Sequence, residues 1–129
     1  MSFVQDVRKA IANAAPEGVY AYSSTPGSPE LPAMIVGLPE NWNPSGTLRH
    51  KLVTFPVYVC VNGDVGNDYE GRLFDLTDQV VAALRNITRG ENYQGLDVES
   101  ISEFGLIPVG NAEVLSSKIL INVFISNNS

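Results

Sequence analysis

Apolar and polar residues alternate from Lys51 to Asn62, with Val53, Phe55, Val57, Val59 and Val61 at one parity. A period of two belongs to a strand with one buried face, so this segment is predicted as a long β-strand. After a turn at Gly63 to Asn67 the period lengthens. Leu73, Leu76, Val80, Leu84 and Ile87 recur at intervals of three and four, the stripe of an amphipathic helix reaching about Arg89. Asn67 and Glu70 have capping-box spacing, Asp68 and Glu70 suit the positive helix end, and Arg85 and Arg89 suit the negative end before Gly90. Strand and helix each have one apolar face, and each hides it against the other.

The flanking segments follow the same two periods. Ser2 and Gln5 form a capping box before an apolar face of Phe3, Val4, Val7, Ala10, Ile11 and Ala14, which predicts a helix over Phe3 to Ala14. Val19 to Tyr22 has the residues of a short strand, and Ser23 to Glu30 those of a flexible loop. Leu31 to Pro39 reads as a short buried strand fenced by prolines, with the strand from Lys51 returning antiparallel to it. Glu40 to Arg49 is a polar loop holding the only tryptophan, Trp42. Pro56 cannot donate to a ladder, which places its strand at a sheet edge or turns its amide outward. A strand over Leu96 to Val109, a turn at Gly110-Asn111 and a strand over Glu113 to Ser126 close the chain. In the last strand Ile119, Ile121, Val123 and Ile125 share one face. Leu120 and Phe124 on the other call for cover by a helix or a partner chain. The expected fold is thus one α+β domain over 1–129, frayed at 127–129. It is a mostly antiparallel sheet with two helices packed on it, in the order helix-strand-strand-helix-strand-strand.

Composition narrows the function. A net charge of −6, with scattered basic residues, argues against a nucleic-acid groove or an anionic membrane surface. The single cysteine, Cys60, cannot form a disulfide within the chain and fits a reducing compartment. No apolar run has the length of a membrane span, and the first residues carry charge where a signal peptide needs an apolar core, so a cytoplasmic origin is expected.

Candidate chemistry is sparse. His50, the only histidine, has no second His or Cys to complete a ligand set and reads as an exposed strand-end residue. Cys60 lacks the cationic setting of a reactive thiol. Asn62 to Asp68 begins like a calcium loop but has Gly66 and Asn67 where a ligand and a glycine belong, so it reads as a strand-to-helix turn. Asp75, Asp78, Glu99 and Glu103 read as solvated surface. No phosphate-cradling glycine motif occurs, and Ser116-Ser117 has no accompanying His and Asp constellation. No cofactor, metal or catalytic residue is assigned, and an enzyme is not expected.

The order of elements, with Pro32 to Val36, the strand Leu52 to Val61, the helix Tyr69 to Ile87 and the final Leu115 to Ile125, resembles the tail-terminator proteins of long-tailed, lambda-like bacteriophages. The resemblance covers nearly the whole chain and is architectural, because the family has no catalytic motif. It implies a non-enzymatic virion protein at the head–tail junction, assembled in the bacterial host as a homohexameric ring. Such a ring stops tail-tube polymerisation, contacts the tube protein and the head's neck connectors, and lets DNA pass its lumen without specific binding or any membrane. Trp42, Leu48, Leu120 and Phe124 are the expected subunit or partner contacts. The alternatives are another head–tail connection protein (a stopper or tail-completion protein) and a small cytoplasmic binding or regulatory domain with an apolar pocket between helix and sheet.

Overall fold

In the computed structural model, which describes residues 3–24, 27, 30–42, 50–62, 69–87, 93–109 and 112–126, eight elements follow in order. They are α1 (Phe3–Asn13), β1 (Tyr20–Tyr22), β2 (Ala33–Val36), β3 (Asn41–Trp42), β4 (His50–Asn62), α2 (Tyr69–Arg85), β5 (Tyr93–Val109) and β6 (Ala112–Ser126). The strands form one six-stranded sheet, β1-β2-β4-β6-β5, with β3 pairing on β4 outside that path. This corrects the expected class and order. Four strands, not two, lie between the helices, strand residues outnumber helical ones about two to one, and the sheet is mixed because β1 runs parallel to β2. The two short strands, at three and two residues, are too brief to show a period. Trp42, expected in a loop, belongs to β3 and pairs with Val53.

Both helices cover the same face of the sheet. Val7, Ile11 and Ala12 of α1 and Leu73, Leu76, Val80, Val81 and Leu84 of α2 meet Met34 and Val36 of β2 and the odd-numbered residues Val53 to Val61 of β4. Ile119, Ile121 and Val123 of β6 complete this core, with Phe55 its largest fully buried side chain. Each such side chain withdrawn from water contributes roughly 1.5–3 kcal/mol, and the alternating run of β4 and the stripe of α2 supply most of them. One polar contact is built into this layer: the buried Thr77 hydroxyl donates to the Leu73 carbonyl at 2.7 Å and lies 2.8 Å from the buried Ser117 hydroxyl.

Pro56 is not on an edge, for β4 is flanked by β2 and β3 on one side and β6 on the other. It sits where β2 has ended and β3 has not begun. Gly37 donates to the Pro56 carbonyl at 2.8 Å and Glu40 donates to the Thr54 carbonyl at 2.8 Å, so the missing N–H falls in the break between the two neighbours. Gly37 is required there, since a Cβ would stand 2.8 Å from Pro56 Cγ. With the Gly37 amide aimed at β4, the Val36 carbonyl points the other way, past the end of β1 at Tyr22. The Arg8 guanidinium donates to it at 2.7 Å, replacing the strand that stops short.

The second face carries no helix among the described residues. Ala33, Ile35, Cys60, Val109 and Val114 form a small core there, joined by the half-buried Tyr58 and Ile107. Ile35 of β2 and Val109 of β5 line one cleft of about 360 Å³, although β4 and β6 separate their strands. The sheet therefore curls until its own far end closes over this face, as strongly twisted sheets do.

Candidate interaction surface

Cys60 is fully buried in the second-face core, and desolvation pushes its thiol up to about 12. A thiol kept protonated at neutral pH serves neither as nucleophile nor as metal ligand. Among the described residues no group of three His, Cys, Asp or Glu could hold a metal ion. His50 opens β4 opposite Ser126, and the turn at Gly63 to Asp68 lies outside the described residues. No helix is long and apolar enough to cross a membrane among the described residues.

The polar contacts of the second face hold strands together. Thr54 donates to Asn122 Oδ1 at 2.7 Å across β4 and β6. Lys118 reaches Glu40 at 2.6 Å and Glu103 at 3.4 Å. The hydrogen bond that Lys118 donates to Glu40 raises the lysine's pKa, against a lowering by desolvation and with smaller help from the charges of Tyr58 and Glu40 and the hydrogen bond to Glu103. Both glutamates belong to turns or bulges, so Lys118 ties irregular backbone to the regular β6.

Glu103 marks the most unusual backbone in the chain. It adopts a left-handed conformation at φ 54° within β5. Ser102 pairs with Lys118 and Gly105 with Ser116, so Glu103 and Phe104 together stand opposite Ser117. The bulge interrupts the alternation, so that Glu103 follows Ser102 on the Lys118 side before Phe104 turns onto Phe74 of α2, ring centroids 5.3 Å apart and tilted by 57°. Two further register shifts, between Tyr93 and Gly95 and between Val98 and Ser100, interrupt the same strand.

Phe104 and Phe74 belong to an exposed apolar strip. Phe74 is 51% exposed, Phe104 48% and Leu106 56%, with Ile101 beside them. Leu96 and Val98, earlier in β5, are packed against the core, whereas Ile101, Phe104 and Leu106 stay exposed, Phe104 with one face of contact to Phe74 at the flank of α2. Sequence reasoning missed this strip. One signal was available, because Phe74 is a large apolar residue off the Leu73–Leu76–Val80–Leu84 stripe. The β5 part was hidden, since bulges break the alternation that would have assigned Ile101, Phe104 and Leu106 to one side.

A groove of about 450 Å³ lies on the other flank of α2. Leu31, Pro32, Val61 and Leu76 supply apolar wall, and Asn62, Arg72, Asp75 and Gln79 supply polar groups.

Of the four residues expected to make contacts, Leu120 alone has its side chain among the described residues. Leu120 is half-buried on β6, between Pro56 and Ser100. Phe124 has a backbone place in β6 opposite Leu52 and Gly95, and Trp42 one in β3. The side chains of Phe124 and Trp42, and all of Leu48, lie outside the described residues. No protein-family model matches this chain, and no curated protein matches it in sequence.

Proposed function

We propose that this chain is a structural assembly protein of a long-tailed bacteriophage, a tail terminator that closes into a six-membered ring on the tail tube. In that role it stops tube growth and offers the neck proteins of the head a joining surface. The observation that carries the reading is the apolar strip of Phe74, Ile101, Phe104 and Leu106, because a lone soluble domain seldom leaves neighbouring aromatic and aliphatic side chains in water. A ring needs head-to-tail contacts between two different surfaces of one protomer. The sheet supports this by ending in two unlike strands at opposite sides, the short β1 and the long, bulged β5, which offer two different surfaces. Exposed Tyr20 lies on β1, and exposed Leu38 follows β2. The segments that carry the family resemblance correspond to β2, β4, α2 and β6. An acidic chain also suits a lumen through which DNA slides without sticking.

The test is mass in solution by light scattering at low and high concentration, with and without magnesium, then electron microscopy with purified tail-tube protein. Hexamers with a central hole, or tubes capped when the chain is added, are the expected result. Tubes that grow on uncapped would sink the terminator reading and leave a stopper or tail-completion role. The groove beside α2 favours a second reading, a small ligand-binding domain, which a concentration-dependent thermal shift with a small-molecule panel would support.

A further inference from the structure

We infer that the strip beside α2 is an unfilled helix position, and that its occupant is an amphipathic, lysine- or arginine-flanked helix of a different protein. The inference rests on the assembly reading above and names the chemistry of one partner.

The first argument is geometric. Strands in a sheet stand about 4.8 Å apart and packed helices 8–10 Å apart, so one helix covers about two strands. Here α1 packs over β1 and β2, and α2 over β4 and β6, with the flank of α2 reaching β5 through Phe74 and Phe104. Two helices thus cover four of the five strands in the path. The uncovered remainder is β5 from Ile101 to Leu106, where the exposed apolar side chains are. A third helix beside α2 would seat on Ile101, Phe104 and Leu106 and touch Phe74 with its flank.

The second argument excludes a strand as occupant. Three register shifts, the left-handed Glu103 and Pro108 interrupt the free edge of β5. These are the devices by which sheets refuse an added strand. The apolar side chains point out of the sheet on the helix side, so they stay available when the edge is closed.

Charge identifies the partner. On α2, Phe74 lies in the i, i+4 column Glu70–Phe74–Asp78, with an exposed acid one turn away on either side. Along β5, exposed Glu99 precedes the strip, while Asp97 and Glu103 belong to the other face, opposite Asn122 and against Lys118. None of Glu70, Asp78 and Glu99 has an ion-pair partner among the described residues. Arg72 lies on the opposite flank of α2, in the groove. A symmetric contact between two copies would set these acids against each other. On a second copy Arg8 is buried and Lys118 is committed to two glutamates, while exposed Lys9 and Arg85 stand singly on different helices rather than along one apolar ridge. An apolar ridge flanked by basic residues satisfies both the strip and its rim.

The probe is a pair of synthetic helical peptides of about 18 residues, long enough to hold a helix. Both carry the same leucine stripe, flanked by lysine in one and by glutamate in the other. Fluorescence anisotropy at 150 mM salt, roughly a cytoplasmic ionic strength, is expected to show saturable binding of the lysine peptide alone. Leu106→Ser and Phe104→Ser should each weaken it about tenfold, the effect of losing one interface anchor. Both residues are about half exposed, and unchanged circular dichroism would show that the variants fold. Glu70→Lys with Asp78→Lys should shift preference toward the glutamate peptide. Equal binding of both peptides, no binding of either, or lysine-peptide binding indifferent to Leu106→Ser would overturn the inference. Light scattering on the same samples keeps the readings apart. Tube capping without peptide binding removes only the helix position, and peptide binding without any ring or capping removes only the terminator.

Discussion

The pairing of Thr77 with Ser117 sets the height of α2 on the sheet, one turn from Phe74, and its energy can be worked out atom by atom. The Thr77 hydroxyl has one hydrogen, and it is donated to the Leu73 carbonyl at 2.7 Å. Ser117 must therefore be the donor in the 2.8 Å contact between the two hydroxyls. Thr77→Val keeps the shape but leaves the fully buried Ser117 O–H with no acceptor, a penalty of about 1–3 kcal/mol partly offset by the added methyl. Ser117→Ala is milder, because Thr77 keeps its bond to Leu73; roughly 0.5–1.5 kcal/mol is expected. The double variant removes both partners and should be less destabilised than Thr77→Val alone, since no donor is left stranded. For a chain of this size about 1 kcal/mol moves the melting temperature by roughly 4 °C. Urea denaturation of the four proteins, followed by circular dichroism, measures the coupling directly. If the two single effects add to within about 0.5 kcal/mol, the hydroxyls are not coupled and the assigned donor direction is wrong.

Three further outcomes follow from the geometry. Gly37→Ala places a methyl 2.8 Å from the Pro56 ring and should cost about 1–3 kcal/mol by overpacking, read as a lower urea midpoint with an unchanged slope. Lys118 has a raised folded-state pKa, so its stabilising contribution is complete below the unfolded value of about 10.4 and is lost as pH rises through the higher folded value. The stability gap between wild type and Lys118→Met, from urea melts at pH 9, 10 and 11, should hold at the first and shrink by the last. Cys60 should resist a thiol-specific chromogenic disulfide at pH 8 in the native protein and react fully in urea. Rapid native labelling would contradict both its burial and its upward-shifted pKa.

The parts of the fold legible in the sequence are those where one residue pattern runs long enough to average out its neighbours. The alternation of β4, the stripe of α2 and the apolar parity of β6 each span a dozen or more residues, and their element bounds differ from expectation by only a few positions. What stayed hidden is relational. Three residues at Tyr20 carry no sign that their partner, Ala33, runs parallel. The Pro56 rule was sound, yet its edge reading failed, because the break between β2 and β3 satisfies it in the middle of a sheet. The interaction strip was lost for a similar reason, since a register shift leaves no mark on composition. For Leu120, parity gives the face away from the helices but not its half-burial there, between Pro56 and Ser100.

The left-handed residue in β5 also bears on how this chain tolerates changes in length. Because Glu103 is the extra residue opposite Ser117, deleting it alone would leave Phe104, Gly105 and Leu106 facing Ser117, Ser116 and Leu115 with every side preserved. The shortened protein would fold, and its ladder would run unbroken from Ser100 to Ile107. What it would lose is solubility, because a regular free edge of that length is a template for the edge of the next molecule. The single-residue deletion should therefore leave monomer stability nearly unchanged and turn a dispersed protein into one that aggregates with concentration.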